Sequence, residues 1–232
     1  MQVAERVAAL KRIAILAGLS NDAVGRVAEN CKWQAYGAGQ SIVDYRDSSS
    51  DILFLLAGKA RVINYSADGK SVVFVDLVAP ALFGEIAAID RGPRSAGVEA
   101  LEGCTIASLS AQGFERLLCE PKVAIAVLQH LAAEVRRLSE RVFEFSTMVV
   151  QNRVQAELIR LAGITGQTRG EAVLSPAPSL SDIADRISTH REAVSRELSR
   201  LTALGLIRRD HGDLRITDLA RLTKLVNEAK GE

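Results

Sequence analysis

The sequence has few of the residues that build disulfide frameworks, metal sites or familiar catalytic centres. It holds three cysteines and three histidines among 232 residues, and Cys31, Cys104 and Cys119 form no C-x-x-C pair. Neither a disulfide framework nor a structural zinc site is therefore expected, and no metal cofactor. The patterns H-E-x-x-H, G-x-S-x-G and the P-loop are also missing, which argues against an enzyme.

Long apolar runs are missing as well. No stretch approaches the roughly 18 apolar residues of a transmembrane helix. Glu5, Lys11 and Arg12 interrupt the apolar N-terminal stretch, which therefore lacks the continuous apolar core of a signal peptide. We expect a cytoplasmic protein with reduced thiols and no membrane partner.

No charge of one sign dominates, because Lys and Arg number 29 against 28 Asp and Glu. Net charge therefore does not indicate a polyanionic partner, although a local basic patch is compatible with it. Hydrophobic residues make up 48% and charged residues 25% of the chain, which is typical of a folded globular protein. At about 150 residues per domain, the length fits one large or two small domains.

Between Gln40 and Ser110 the sequence alternates short apolar runs with turn residues. The runs include DILFLLAG, SVVFVDLVAP and TIASLS, and Gly, Asp, Ser or Pro separate them. Such runs, spaced by about ten residues, predict antiparallel strands of a compact barrel or sandwich. Asp68-Gly69, between two of the runs, is the clearest hairpin signal.

A heptad pattern follows Pro121, a residue that suits the first turn of a helix. Apolar residues recur there at alternating spacings of three and four, with Glu and Arg on the other faces. They are Leu128, Leu131, Val135, Leu138, Val142, Phe145 and Val149. This seam favours a parallel homodimeric coiled coil. The alternative is a helix laid along the sheet of its own domain, which usually shows a wider apolar stripe.

Beyond Val150 the pattern changes to short helices, two of which fit a helix-turn-helix. Apolar residues of the second helix share one face, at positions 194, 198 and 201. The outer face of its first turns then carries Arg191, Glu192, Ser195 and Arg196. The start of the second helix of this motif enters the major groove of DNA. The preceding polar break, at residues 188–190, can donate hydrogen bonds to phosphates.

The residue types on this outer face suit base recognition. Arg can donate two hydrogen bonds to guanine, and Glu can accept one from cytosine. Between positions 186 and 209 the chain has six Arg and two Glu, a local excess of four positive charges. Residues 206–216 predict two short strands around a Gly turn, which form a wing beside the DNA backbone. The alternative is an ordinary surface helix with solvated charges.

The segment LFGEIAAIDRGPRSA, residues 82–96, collects groups that suit a phosphorylated ligand. Gly84 permits close approach of the backbone, and Glu85 can accept hydrogen bonds from paired ribose hydroxyls. Arg94 can hold a phosphate through its guanidinium fork, beside the hydroxyl of Ser95. By residue chemistry alone, a salt bridge between Glu85 and Arg94 that only ties the loop is an equal explanation.

This segment closely resembles the phosphate-binding cassette of cyclic-nucleotide-binding domains. The order of cassette, heptad helix and R-E-x-V-S-R helix-turn-helix resembles bacterial transcription regulators of the cyclic AMP receptor protein type, in the CRP/FNR superfamily. The resemblance implies an α+β fold. Residues 1–120 would form a cyclic-nucleotide-binding β-barrel of the jelly-roll kind with flanking helices, 121–150 the dimerisation helix and hinge, and 151–232 a winged helix-turn-helix domain.

The resemblance also implies an effector and its binding residues. The effector would be cAMP, with cGMP as the alternative. Glu85 would hold the ribose 2′-hydroxyl, Arg94 and Ser95 the cyclic phosphate, and backbone amides would assist. The implied ligand-binding residues are Gly84, Glu85, Arg94, Ser95, Ala96 and, towards the base, Ser139. Because Ser95 suits either nucleotide, the choice of purine stays open.

For DNA, the resemblance implies a homodimer, formed through the 121–150 helix, on a palindromic operator. Arg191, Glu192 and Arg196 match the R-E-x-x-x-R of members that read TGTGA half-sites, which implies a TGTGA-N6-TCACA-like palindrome. The implied DNA-binding residues are Ser188, Thr189, His190, Arg191, Glu192, Ser195 and Arg196. RNA polymerase is the implied further partner. Ligand bound beside the long helix would change the packing of the dimer and so the spacing between the DNA-binding helices of its two subunits.

The sequence departs from the family pattern in two places. The stretch from Arg137 to Arg153 is about one helical turn shorter than in the best-known members, which bears on the assignment of Ser139. Pro80-Ala81 stands where a glycine usually precedes the cassette.

Regulators of the same architecture that sense redox state or a gas, or that respond to no effector, are the alternatives. An iron-sulfur or haem sensor predicts clustered cysteines near the N-terminus or an axial histidine, but all three histidines follow the predicted barrel. An intact Glu85 and Arg94 argue against a vestigial cassette.

Overall fold

The computed structural model describes residues 2–67, 69–165, 167–168 and 170–231. Within it the chain divides into two compact units, residues 1–134 and 135–232. We call them the N-terminal unit and the C-terminal unit. The boundary lies inside one long helix, whose first part belongs to the N-terminal unit and whose last part belongs to the C-terminal unit.

The strands of the N-terminal unit form two four-stranded antiparallel sheets, ordered β1-β8-β3-β6 and β2-β7-β4-β5. The strands are β1 Lys32–Tyr36, β2 Ser41–Val43, β3 Ile52–Ala57, β4 Lys59–Tyr65, β5 Ser71–Val78, β6 Ala81–Phe83, β7 Gly97–Ala100 and β8 Cys104–Leu109. Two sheets of this kind make a jelly-roll arrangement, in which the edges stay open, and not a closed barrel.

Strand β3 carries two cores because both of its faces are buried. Leu53 and Leu55 contribute to the apolar cluster that contains residues of both sheets. Phe54 faces the other way, into a larger cluster with the surrounding helices. Residues of alternate parity point to opposite faces of a strand, which explains the continuous apolar run of this segment. Each fully buried apolar side chain contributes about 1.5–3 kcal/mol.

The predicted hairpin joins β4 and β5. The two strands pair antiparallel up to Tyr65 opposite Ser71, and Gly69 has a left-handed φ of 78°. Asp68, the other residue of the predicted turn, lies outside the described residues.

Helices cover the outer face of the sheet that contains β3. They are α1 Val3–Lys11, the 3-10 helix Ala14–Leu16, α2 Asn21–Asn30, α3 Glu85–Asp90, α4 Ala111–Leu118 and α5 Pro121–Thr147. Ser20 caps α2, since its hydroxyl accepts a hydrogen bond from the amide of Ala23 at 3.2 Å. The caps and the buried faces together set where the short helices begin.

Helix α5 begins at Pro121, as predicted, and leaves most of its heptad seam exposed. Leu131 is half-buried and packs on the N-terminal core. The exposed seam residues are Leu128, Val135, Leu138, Val142, Phe145 and, two residues beyond the helix end, Val149. A continuous apolar stripe on a soluble helix is typical of a partner surface.

The C-terminal unit also contains α6 and a winged helix-turn-helix. Its elements are α6 Val150–Thr165, β9 Gln167–Thr168, β10 Glu171–Leu174, α7 Leu180–Arg186, α8 Arg191–Ala203, β11 Ile207–Asp210, β12 Asp213–Ile216 and α9 Leu219–Lys230. The predicted wing is confirmed: β11 and β12 pair around Gly212, whose φ is 93°. The sheet order is β11-β12-β10-β9.

Across the part of the chain that the structure describes, no helix is both long enough and apolar enough to cross a membrane. Within the same residues, no group of three or more His, Cys, Asp or Glu side chains is arranged to hold a metal ion.

Candidate functional site

The cassette begins at Gly84, between β6 and α3. Its φ is 80°, a left-handed conformation that favours glycine. A Cβ at this position would lie 2.4 Å from Nη1 of Arg94 and 3.0 Å from the carbonyl oxygen of Asp51. Gly84 is therefore required both by the turn and by the close passage of the arginine side chain.

Arg94 is the central cation of the cassette. The residue is only 4% exposed, its Nε donates to Oγ of Ser49 at 3.0 Å, and its Nη1 donates to the carbonyl of Gly84 at 3.3 Å. It forms no ion pair with a carboxylate of the described residues. Burial lowers the pKa of Arg94, while Asp51, Asp47 and, more weakly, Glu85 oppose that shift.

Glu85 lies at the first position of α3, with its carboxylate largely buried. Its Oε1 is 3.9 Å from Nε2 of His130 on α5, an ion pair when the imidazole is protonated. Burial raises the pKa of Glu85, and Glu134 adds to the rise, whereas a backbone hydrogen bond, His130 and Arg94 lower it. The carboxylate is thus poorly solvated and available to hydroxyl donors.

Ser95 and Ala96 follow Arg94 on the way into β7. Ser95 is exposed and Ala96 is half-buried. Asn64 of β4 holds this turn from both sides: its Oδ1 accepts from the amide of Gly97 at 3.0 Å, and its Nδ2 donates to the carbonyl of Ser95 at 3.4 Å. The structure therefore brings Gly84, Glu85, Arg94, Ser95 and Ala96 together in one segment of the N-terminal unit.

Ser139 belongs to the C-terminal unit, on the last part of α5. It is exposed, and its hydroxyl donates to the carbonyl of Val135 in its own helix at 2.8 Å. The structure does not bring it together with the cassette residues within one unit, so its contact with a base stays a prediction.

The second candidate site is the start of α8. Val194, Leu198 and Leu201 are buried, as the periodicity predicts. The predicted outer residues Arg191, Glu192 and Arg196 are exposed and Ser195 is half-buried. Nε of Arg191 lies 3.1 Å from Oε1 of Glu192. A hydrogen bond from its own backbone amide and one from Arg191 lower the pKa of Glu192, so the carboxylate stays ionised as an acceptor.

The turn between α7 and α8 contains the other predicted DNA-binding residues. Helix α7, which precedes this turn, begins after Ser179, whose hydroxyl accepts a hydrogen bond from the amide of Asp182 at 3.0 Å. Ser188 has a φ of 50° and is exposed, Thr189 is half-buried, and His190 is the exposed N-cap residue of α8. The two hydroxyls and the imidazole therefore line the edge from which a helix-turn-helix contacts phosphates.

No pattern in the sequence marks Ser49, Asn64 or His130 as neighbours of the cassette. They come from the loop before β3, from β4 and from α5, and each reaches a cassette residue that lies 31 to 45 positions away along the chain. Such long-range contacts leave no local pattern in a single sequence. The heptad of α5 marks its outer face and not the face that carries His130.

Two family models match the chain. The model of the cyclic nucleotide-binding domain matches residues 33–120, and the model of the Crp-like helix-turn-helix domain matches residues 152–225. A nucleotide-binding domain followed by a helix-turn-helix defines a DNA-binding transcription regulator. The chain belongs to the CRP/FNR family of such regulators, which is a family of DNA-binding proteins and not of enzymes.

Similar proteins span the whole architecture. The CRP-like cAMP-activated global transcriptional regulator of Mycobacterium tuberculosis is 21% identical over 217 residues, 93% of this chain and 97% of that protein. A CooA variant of Carboxydothermus hydrogenoformans has a TM-score of 0.73 at 19% identity, over 85% of this chain and 88% of that one. The c-di-GMP responsive global regulator CLP of Xanthomonas campestris has a TM-score of 0.72 at 16% identity, over 85% and 99%. At these identities the structural likeness shows the fold.

Proposed function

We propose that this protein is a homodimeric, cytoplasmic transcription regulator whose binding to DNA is controlled by a cyclic nucleotide, cAMP in preference to cGMP. It reads a TGTGA-N6-TCACA-like palindrome through α8 and acts with RNA polymerase. The cassette residues Gly84, Glu85, Arg94, Ser95 and Ala96 bind the nucleotide, and Ser139 contacts its base.

The observation that carries the proposal is the buried guanidinium of Arg94, which forms no ion pair with a carboxylate of the described residues. A buried charge without an opposite charge is costly to the folded protein. An anionic ligand with a single negative charge, such as a cyclic phosphodiester, removes that cost by accepting hydrogen bonds from the guanidinium. Glu85, in the same segment, supplies the acceptor that a ribose hydroxyl requires.

The long helix takes part in the same site within the N-terminal unit. His130 of α5 faces the carboxylate of Glu85, and Glu134, one turn further on, also influences it. A ligand hydroxyl bound to Glu85 changes this contact between cassette and helix. Because α5 carries the exposed apolar seam, occupancy of the cassette and packing of the dimer are linked through one helix.

Calorimetry with the full-length protein tests the nucleotide. We expect cAMP to bind, and Arg94→Ala to lose about 2–5 kcal/mol of binding free energy, about 30-fold or more in affinity. The matched control is Arg91→Ala in the same segment, since Arg91 is exposed and pairs with Glu115 at 3.1 Å. Equal binding by wild type and Arg94→Ala would remove the cassette assignment. Tight binding of cGMP or c-di-GMP, but not of cAMP, would correct the effector.

A titration of labelled duplexes tests the DNA site. Arg196→Ala is expected to cost about 1–3 kcal/mol on the palindrome and much less on a random duplex, because a base contact is lost. Lys224→Ala is the control, since this exposed lysine lies on α9, away from α8 in the sequence. A uniform loss across sequences would make Arg196 a phosphate contact. An affinity for the palindrome that does not change when cAMP is added would contradict control by the nucleotide.

The cysteines do not favour redox sensing. Cys31 and Cys104 are buried, and burial raises the pKa of Cys31 to about 12. A thiol with so high a pKa has almost no thiolate at neutral pH and reacts slowly with oxidants. Cys119 is the exposed thiol of the three.

A further inference from the structure

We propose that Ser49 is a positioning residue that fixes the orientation of the Arg94 guanidinium towards one exocyclic oxygen of the cyclic phosphate. The inference rests on the proposed function, because it concerns how the same site recognises its ligand. Ser49 lies in the loop between β2 and β3, outside the cassette segment.

The guanidinium is held at two of its three nitrogens. Nε donates to Oγ of Ser49 at 3.0 Å and Nη1 donates to the carbonyl of Gly84 at 3.3 Å. Two bonds to a planar group fix its rotation, and the fork of arginine is rigid. Nη2 is the nitrogen for which the described residues provide no hydrogen bond. The donors left for an anion therefore point in one direction.

The loop that carries Ser49 is itself tied to Arg94. The amide of Arg94 donates to the carbonyl of Asp47 at 2.9 Å, and the amide of Arg46 donates to the carbonyl of Arg94 at 3.1 Å. The amide of Ser49 donates to Oδ1 of Asp47 at 2.7 Å. These bonds hold the backbone of Ser49 in place relative to the arginine, so a single side-chain torsion sets the position of the hydroxyl.

A neutral hydroxyl suits this role better than a carboxylate. A carboxylate paired with Arg94 would orient the guanidinium but also neutralise it, and a phosphate would have to displace that ion pair. Asp47 and Asp51 influence Arg94, yet neither forms an ion pair with it within the described residues. Ser49 orients the cation and leaves its charge for the ligand.

The test measures cAMP and its Sp and Rp phosphorothioates, in which sulfur replaces one or the other exocyclic oxygen. The variants are Ser49→Ala, Ser49→Thr and, as the matched control, Ser48→Ala in the same exposed loop. We expect Ser49→Ala to weaken cAMP about tenfold, since a hydrogen bond to a charged group is lost, and to move the ratio of the two phosphorothioate affinities towards one. Ser49→Thr keeps the hydroxyl and restores both values.

Ser48→Ala is expected to change the affinity by less than about twofold. Because Ser49 is exposed, we expect Ser49→Ala to fold. Thermal unfolding without ligand checks this. Binding of cAMP by Ser49→Ala within twofold of the wild type, with an unchanged phosphorothioate ratio, would overturn the role of Ser49 and leave the proposed function standing. A wild-type protein that binds no cyclic nucleotide would overturn both.

Discussion

Arg94 and Glu85 carry opposite charges in one short segment, yet they form no ion pair with each other. Residue chemistry alone left open a salt bridge between them, and the structure shows that this alternative is wrong. Oε1 of Glu85 lies 3.9 Å from Nε2 of His130, and the hydrogen-bond partners of Arg94 are a hydroxyl and a carbonyl. The left-handed turn at Gly84 makes room for Arg94, because Nη1 of Arg94 occupies the space that a Cβ would fill.

The proposed role of Glu85 as the ribose acceptor predicts that nucleotide binding depends on pH. Burial raises its pKa above the ordinary value of about 4.3. A protonated carboxyl accepts ribose hydrogen bonds less well, so we expect the affinity for cAMP to fall as the pH falls through this raised pKa, starting above the range of an exposed glutamate. Calorimetry between about pH 4 and pH 8 measures the fall.

Glu85→Gln should show weaker binding that varies little over the same range, and His130→Gln is the control that removes the neighbouring imidazole. The pH dependence of stability without ligand has the opposite sign. Glu85 stabilises the fold below its unfolded pKa, and this contribution is lost as the pH rises through its folded pKa. A wild-type affinity that stays constant down to pH 4.5 would contradict the assignment of Glu85 as the ribose acceptor.

At the scale of elements, the strongest periodicities predicted the most. The heptad of α5 and the buried face of α8 both follow from spacing in the sequence. Strand β10 and helix α9 were not predicted. Strand β10 has only four residues, and its partner β12 lies about 40 positions further on. A four-residue run has too little length to show a period.

Not all of the charged residues counted between positions 186 and 209 are exposed. The local excess of positive charge included Arg186 and Glu197, which the structure buries at 5% and 1% exposure. The two cancel, so the exposed excess stays the same. Arg200 donates two hydrogen bonds to Glu197, at 2.8 and 2.7 Å, and Gln155 of α6 donates another at 2.7 Å. Glu197 therefore joins the recognition helix to α6.

Loss of this buried carboxylate should loosen α8. We expect Glu197→Gln to lower the free energy of unfolding of the C-terminal unit by about 1–2 kcal/mol, because hydrogen bonds to a charged group are lost. Circular dichroism during urea unfolding measures it. Fluorescence of Trp33, the single tryptophan, reports the N-terminal unit and should not shift. Glu192→Gln, exposed on the same helix, should change stability by less than about 0.5 kcal/mol. Equal losses of stability in Glu197→Gln and Glu192→Gln would contradict the role of Glu197 in joining α8 to α6.

For the whole molecule, the end of the long helix is built into the C-terminal unit. Nη1 of Arg141 lies 2.7 Å from Oε2 of the buried Glu157 of α6, and Arg160 of α6 lies 2.8 Å from the buried Glu144 of α5. Lys230 at the end of α9 pairs with Glu140 and Glu144. Because Glu144 and Glu157 are buried and paired, separating α5 from α6 is costly. A rotation of the helix end therefore carries the DNA-binding elements with it.

The apolar seam of α5 is the surface on which the proposed dimer, and with it the proposed palindromic site, depends. Val142 is 65% exposed in the single chain, so we expect Val142→Glu to leave the monomer stable but to abolish the dimer, since like charges would face each other across the seam. Sedimentation should show half the wild-type mass, and binding should fall towards that of a single half-site. Ala133→Glu, on the opposite face of the helix, should remain dimeric. A dimeric Val142→Glu would place the interface elsewhere, and a monomeric wild type would show that two-fold recognition needs DNA to assemble it.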